Sequence, residues 1–187
     1  MGQTSAAQKS WLRSNVTRVA RFHFVYVVVL AAQILIYDAW NLVAPEAVMR
    51  RWLITALLLT VTAVVWYLAK SKVNSTLAHK ALVFALILTD IAVASVSVYT
   101  QRGMASRAVM LYTIPIIVSA ILLTRSALFA TAALCIAAYL ATTVSYFVLN
   151  FNEGYKIELY GEVGFYCGVF LIVAALLWVV IRSKRNS

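Results

Sequence analysis

The apolar positions of this chain form six long runs, which short polar or charged segments separate. Each run approaches the roughly 20 residues that a helix needs to cross the hydrocarbon core of a bilayer. The pattern therefore predicts an all-α polytopic membrane bundle with six transmembrane helices. The predicted spans are Phe22–Val43, Trp52–Ala69, Ala81–Tyr99, Ala108–Thr124, Ala127–Leu149 and Gly161–Ile181.

The basic residues indicate how these spans are oriented. Most of the 16 Lys and Arg residues fall at one set of span ends without an acidic residue among them, whereas the opposite ends mix both signs. An excess of Lys and Arg marks the cytoplasmic side of a membrane protein. We therefore expect both termini in the cytoplasm, with a basic N-terminal segment at 1–21, a membrane domain at 22–181 and a short basic tail at 182–187.

Composition agrees with this class. Apolar residues make up 64% of the chain and charged residues 12%, compared with about 45–50% and about 25% in soluble domains. The formal net charge of +10 does not predict nucleic-acid binding, because the basic residues lie in short clusters between apolar runs. The lipid bilayer is the expected partner, and no nucleic acid is expected.

Asp90 is the main candidate for a functional residue, because it lies at the middle of the third span. A central Asp costs about 3 kcal/mol of insertion free energy, which the Val, Ile, Leu and Phe side chains of the span offset. A carboxyl group at this depth faces the bundle interior and commonly marks an ion, proton or ligand site. The alternative is a structural Asp that joins neighbouring helices by hydrogen bonds.

Residues at similar depth, or beside the adjoining outer loop, are the expected companions of Asp90. Three of them share one face of the fourth helix, where Pro115 removes a backbone hydrogen bond and either opens a small cavity or is simply tolerated. The predicted ligand- or partner-binding residues are Asp90, Tyr112, Pro115, Gln33, Ser119, Tyr99 and Arg107.

Small residues in the last two helices predict close helix packing. Ala133, Ala137 and Ala141 recur every four residues along the fifth helix, and Gly164 with Gly168 forms a GxxxG motif in the sixth. Such spacings let two helix backbones approach closely. We expect these residues to pack within the bundle, and the alternative is a homodimer formed by two copies of the chain.

No motif in the sequence predicts catalysis. The chain lacks a Gly-rich phosphate loop, a GxSxG motif and an HExxH motif. Cys135 and Cys167 fall inside predicted spans and form no CxxC pair, and the two His residues have no acidic neighbours. We expect no enzymatic activity, no cofactor and no metal site.

One stretch, from Leu82 to Tyr139, resembles the six-helix membrane sensor region at the N-terminus of bacterial sensor histidine kinases of the pilus-regulating type. The other helices match that region in number and polarity. The resemblance implies stimulus sensing in a two-component system of the bacterial inner (cytoplasmic) membrane. The matching positions are Asp90, Tyr99, Gly103, Ser106, Leu111, Tyr112, Pro115, Ile116 and Arg125.

The resemblance also suggests how a signal would leave the membrane. In those kinases the last helix continues into a coiled coil, a phospho-accepting His and an ATP-binding domain, whereas this sequence reaches Ser187 without them. We therefore expect signalling through a membrane protein or a cytoplasmic kinase partner, or through a missing cytoplasmic domain. The alternative function is a small ion- or proton-coupled transporter or channel subunit that uses Asp90.

Overall fold

The computed structural model of the chain describes residues 2–71, 75–101, 103, 106–150 and 157–186. Within these residues every regular element is helical and no strand occurs, which confirms the predicted all-α class. The long helices are α1 (Gly2–Ala39), α2 (Pro45–Lys70), α3 (Thr76–Thr100), α5 (Arg125–Leu149) and α6 (Ile157–Asn186). Between α3 and α5 lies a shorter helical segment, Arg107–Leu122, whose central part is α4 (Thr113–Ser119).

The five long helices have the length and composition to cross a membrane. The fourth segment has fewer residues than the others, and 3₁₀ turns, Arg107–Tyr112 and Ala120–Leu122, flank α4 within it. Pro115 gives a local reason for the first of these turns. Proline has no backbone N–H and crowds the carbonyl four residues earlier, so regular α-helical winding is disfavoured just before it.

The first helix extends much further towards the N-terminus than the predicted span that starts at Phe22. Three apolar residues at four-residue spacing, Leu12, Val16 and Ala20, are buried in this extension. They lie among polar residues, so a search for continuous apolar runs does not detect them. The part of 10–21 that the sequence assigns to a basic N-terminal segment is therefore a packed part of α1.

The chain divides into two compact units, Met1–Thr89 and Asp90–Ser187, with the boundary inside α3. In unit 1, α1 and α2 form an antiparallel pair. The ring of Phe24 meets that of Trp66 edge-on at 6.3 Å, and the Arg51 guanidinium lies 4.8 Å from the centre of the Tyr37 ring. The turn between them ends α1 with Asn41 in a left-handed conformation (φ 50°), where the Leu42 N–H donates to the Tyr37 carbonyl as in a Schellman motif.

Unit 2 contains the second half of α3, the fourth segment, α5 and α6. The fourth segment packs against both α5 and α6, and α5 packs against α6. Leu123 adopts a left-handed conformation (φ 52°) and Thr124 caps α5 by accepting a hydrogen bond from the Ala127 N–H. The short turn at Thr124 thus makes the fourth segment and α5 direct neighbours, as its length predicts.

Candidate functional site

The centre of unit 2 holds a group of polar and aromatic side chains that are shielded from the surface. Asp90 is 1% exposed and begins this unit on α3. Cys135 of α5 is also fully buried. The Asp90 carboxyl group therefore faces the interior of a helix bundle, which is where a polar side chain in a membrane helix is expected.

Tyr112 joins the fourth segment to α3 and α5. Its side chain is fully buried, and its hydroxyl shares a 2.8 Å hydrogen bond with the Ser95 hydroxyl. The Ser95 hydroxyl gives its own proton to the Ile91 carbonyl at 2.8 Å, so the Tyr112 hydroxyl is the donor to Ser95. Tyr112 therefore connects the fourth segment to α3 through an anchored side chain, and its ring contact with Tyr139 adds α5.

An aromatic cluster extends from Tyr112 to α6. The ring of Tyr112 lies 6.0 Å from that of Tyr139 and 5.8 Å from that of Phe170, and Tyr139 lies 6.2 Å from both Phe170 and Tyr166. Tyr112, Tyr139 and Phe170 are fully buried. Such edge-to-face pairs contribute about 0.5–1.5 kcal/mol each beyond the area they bury. A displacement of the fourth segment would therefore act directly on α6.

The hydroxyl of Tyr139 has no hydrogen-bond partner in the described part of the structure, although it is buried. Leaving a buried hydroxyl unsatisfied costs about 1–3 kcal/mol. Buried polar groups of this kind call for a partner or a function. Tyr139 lies on the same buried face of α5 as Cys135 and Thr143, and its ring contacts that of Tyr112. The Tyr139 hydroxyl could therefore form a hydrogen bond with an additional polar group at the centre of unit 2.

The other predicted residues of the fourth segment are also buried. Pro115 and Ser119 lie on the inner side of α4, and the Ser119 hydroxyl donates to the Ile116 carbonyl at 2.7 Å. Tyr112, Pro115 and Ser119 therefore all point away from the surface, as the predicted common face requires. Arg107, at the start of the first 3₁₀ turn, is exposed.

Tyr99 belongs to a second aromatic contact near the end of α3. Its ring meets that of Tyr146 at 5.8 Å, and Gly103 lies against the same Tyr146 side chain. Gly103 has a φ of +64°, and a Cβ atom there would lie 2.9 Å from Cδ1 of Tyr146. Ser106 then starts the following 3₁₀ turn by accepting a hydrogen bond from the Ala108 N–H at 3.0 Å. Gly103 is thus required by conformation and by space.

Gln33 lies in unit 1, on the exposed side of α1, where its side-chain amide donates to the Tyr37 hydroxyl at 3.0 Å. The structure assigns Gln33 and Asp90 to different units, and the expected association of the two residues stays a prediction.

The small residues predicted to pack lie on outward faces. Ala133, Ala137 and Ala141 are exposed on α5, opposite its buried stripe. A Cβ atom added at Gly164 or Gly168 would meet no atom within 4 Å. Inside this chain, these positions therefore make no close helix contact among the described residues, and their use in packing stays a prediction about other surfaces.

Ser95 and Phe170 are residues of the candidate site that the predicted set omits. Mid-span hydroxyl groups carry the same kind of signal that marks Asp90, and they could have been selected on that ground. Phe170 has no such signal, because one Phe in an apolar helix looks like any other. Among the described residues no group of three or more His, Cys, Asp and Glu side chains is arranged to hold a metal ion.

Comparison with known families supports the resemblance found in the sequence. A family model described as a PilS-like transmembrane domain matches residues 2–187, almost the entire chain. Comparisons with the curated proteins and with the solved structures gave no match.

Proposed function

Since the chain belongs to the family of PilS-like transmembrane domains, we propose that it is a membrane-embedded sensor module that binds a ligand or a partner and signals through another component. The family and the apolar helices establish a multi-pass membrane protein, and the PilS-like domain supports a sensor-type module. The binding and signalling steps are the proposal. The proposal also includes a bacterial inner membrane. It further includes cytoplasmic N- and C-termini, an orientation that the distribution of basic residues supports.

The observation that carries this proposal is the junction at Tyr112. Its hydroxyl donates to Ser95 of α3, and its ring packs against Tyr139 of α5 and Phe170 of α6. A stimulus that shifts the fourth segment would break or strengthen the bond to Ser95 and would move the ring that packs on α6. Packed helices change between discrete arrangements more readily than they deform gradually, so this junction suits a switch.

Two groups are suited to receive the stimulus. Asp90 offers a buried carboxyl group, and Tyr139 offers a buried hydroxyl without a partner among the described residues. A ligand or a helix of another protein that supplied a polar group to Tyr139 would recover the free energy that the hydroxyl now lacks. Binding would thus favour the helix arrangement in which the Tyr139 hydroxyl has its partner. A ligand shifts the equilibrium between two arrangements only if it binds one of them more tightly than the other.

The test is a crosslinking pull-down from native membranes with the intact chain as bait. We expect a kinase or another signalling membrane protein to be recovered with the native chain and lost with Asp90→Asn. Asp38→Asn is the matched control, because it makes the same chemical change at an exposed carboxylate of unit 1. Equal recovery with Asp90→Asn and Asp38→Asn would contradict a role of Asp90 in the contact.

Buried Asp90 also favours a second candidate function, an ion- or proton-coupled transporter or channel subunit. It predicts ion flux into liposomes that contain only the purified chain, and this flux would be abolished by Asp90→Asn. Such a flux, together with recovery of nothing but the chain itself in the pull-down, would replace the sensor proposal.

A further inference from the structure

One end of the α1–α2 pair carries a concentration of positive charge that the proposed sensor role does not use. Arg13, Arg18 and Arg21 of α1 and Lys70 of α2 are all exposed. We call these four residues the basic surface. Arg18 and Arg21 are three residues apart and are neighbours on the surface of α1. Arg13 lies about 80° around the helix from Arg21 and about 140° from Arg18, on the side from which it reaches α2.

The contacts of Arg13 fix the basic surface to the end of α2. Its Nε donates to the Ala69 carbonyl at 3.1 Å, and its second terminal nitrogen donates to the Lys70 carbonyl at 2.7 Å. These carbonyls belong to the last turn of α2, which the helix leaves without internal partners. The arginine therefore holds Lys70 and the α1 arginines in a defined relation.

An aromatic side chain completes this surface. The Lys70 ammonium lies 3.7 Å from the centre of the Trp66 ring, a distance at which the cation and the ring attract each other. Tyr67 and Trp11 are exposed close by in sequence. Trp and Tyr collect where membrane helices pass through the headgroup layer, so this composition fits the depth of the phospholipid phosphates.

No carboxylate of unit 1 can neutralise the basic surface from the same end of the pair. The acidic residues of 1–89 are Asp38, in the last turn of α1, and Glu46, in the first turn of α2. Both follow Arg21 by more than 15 residues and lie at the opposite end of the helix pair. At that opposite end the charges are mixed, and Arg51 is engaged with Tyr37. The two ends of one hairpin thus differ in what they can bind.

We infer that the basic surface of unit 1 binds the phosphate headgroup of an anionic phospholipid. Arginine pairs with phosphate through several N–H groups at once, and long basic side chains reach from a helix to the headgroup layer. Groups of four or more Lys and Arg beside a membrane helix attract anionic lipids, at about 1 kcal/mol for each residue. Three observations favour a bound anionic lipid: the positive charge of the surface, the aromatic residues beside it and the fixed position of Arg13.

The test uses the full chain, purified and reconstituted in phosphatidylcholine vesicles, with its own tryptophans as probes. Brominated phosphatidylglycerol and brominated phosphatidylcholine quench tryptophan fluorescence on contact, and the ratio of their effects measures lipid preference. We expect quenching to favour phosphatidylglycerol, and Arg18→Gln or Arg21→Gln to lower that preference by up to about fivefold each. Raised NaCl should weaken it in the native chain.

Arg50→Gln is the matched control, because Arg50 is an exposed arginine of the same helix pair at its opposite end. We expect this variant to keep the native preference, with circular dichroism confirming equal helix content in all variants. Equal quenching by the two lipids, or an equal loss with Arg50→Gln, would overturn the inference. Displacement of the brominated lipid by inorganic phosphate at constant ionic strength would also overturn it, because the surface would then be a general anion site.

Discussion

At the scale of single residues, Tyr112 and Tyr139 are two buried phenols of the same cluster with opposite hydrogen-bond states. The Tyr112 hydroxyl is bonded to Ser95, whereas the Tyr139 hydroxyl has no partner among the described residues. Replacing each tyrosine with phenylalanine therefore compares two contributions to the free energy of unfolding: the loss of a hydrogen bond at position 112 and the removal of an unsatisfied hydroxyl at position 139.

We expect Tyr112→Phe to lower the free energy of unfolding by about 0.6–1 kcal/mol, the value of one interhelical hydrogen bond in a membrane protein. Tyr139→Phe should leave stability unchanged or raise it, because it removes an unsatisfied group and keeps the ring. SDS-induced unfolding of the purified protein, followed by circular dichroism, measures both. A larger loss with Tyr139→Phe than with Tyr112→Phe would show that the Tyr139 hydroxyl already has a strong partner.

Gly103→Ala should destabilise the loop after α3 by about 1–2 kcal/mol, because an L-residue resists a left-handed conformation and the new methyl group would meet Tyr146. Gly161→Ala is the control, since a Cβ atom at this helical position of α6 has open space within 4 Å. There alanine should be neutral or stabilising by up to about 1 kcal/mol. The same unfolding measurement applies, and equal effects at both positions would argue against a requirement for glycine at position 103.

At the scale of helices and loops, the cross-helix bonds of Arg13 give the last turn of α2 a partner that its own helix lacks. We expect Arg13→Ala to speed amide hydrogen exchange in that turn by roughly fivefold, since a net hydrogen bond is worth about 1 kcal/mol. Hydrogen-exchange mass spectrometry of peptides that cover residues 66–71 measures this, with Arg50→Ala as the control. Unchanged exchange would mean that packing with α1 alone holds the end of α2.

The positions of the helices follow from apolar run length, whereas their buried faces do not. The third and fifth predicted spans begin five and two residues after α3 and α5 do, and they end within one residue of the same place. Lipid accepts the apolar side chains of every face, so periodicity cannot distinguish a buried stripe from a lipid-facing one. The four-residue spacing of Ala133, Ala137 and Ala141 therefore could not show which face of α5 is buried, and the buried residues of that helix include Cys135 and Tyr139.

Other features depend on tertiary contacts that no local pattern contains. The burial of Asp90 could be predicted, because a carboxyl group is costly in lipid. The partners of Tyr112 could not, since its hydroxyl bonds to Ser95, 17 residues away, and its ring packs on Tyr139 and Phe170 of two later helices. The N-terminal extension of α1 was not predicted for a related reason. Leu12 and Val16 stand singly among polar residues, and their burial becomes evident only from the structure.

At the scale of the whole molecule, the fourth segment determines how many times the chain crosses the membrane. It has 16 residues, which would reach only about 24 Å as an α-helix. A 3₁₀ turn rises about 2.0 Å per residue in place of about 1.5 Å, and nine of these residues lie in 3₁₀ turns. The segment therefore reaches about 28 Å, close to the roughly 30 Å of a bilayer core. Its winding supports a sixth crossing and an even number of spans.

Six crossings predict that the two ends of the fourth segment react on opposite sides of the membrane. In intact spheroplasts we expect a membrane-impermeant maleimide to label Arg107→Cys, whereas Ser126→Cys and Ser71→Cys should be labelled only after permeabilisation. Arg107 and Ser126 are exposed, and the labelling reports which side of the membrane they face whether or not Arg107 takes part in binding. The native chain supplies the baseline, since its Cys135 and Cys167 lie within helices. If Arg107→Cys and Ser126→Cys were labelled from the same side, the fourth segment would not cross, α5 and α6 would reverse their direction, and Tyr112 would lie near a membrane surface instead of near its middle.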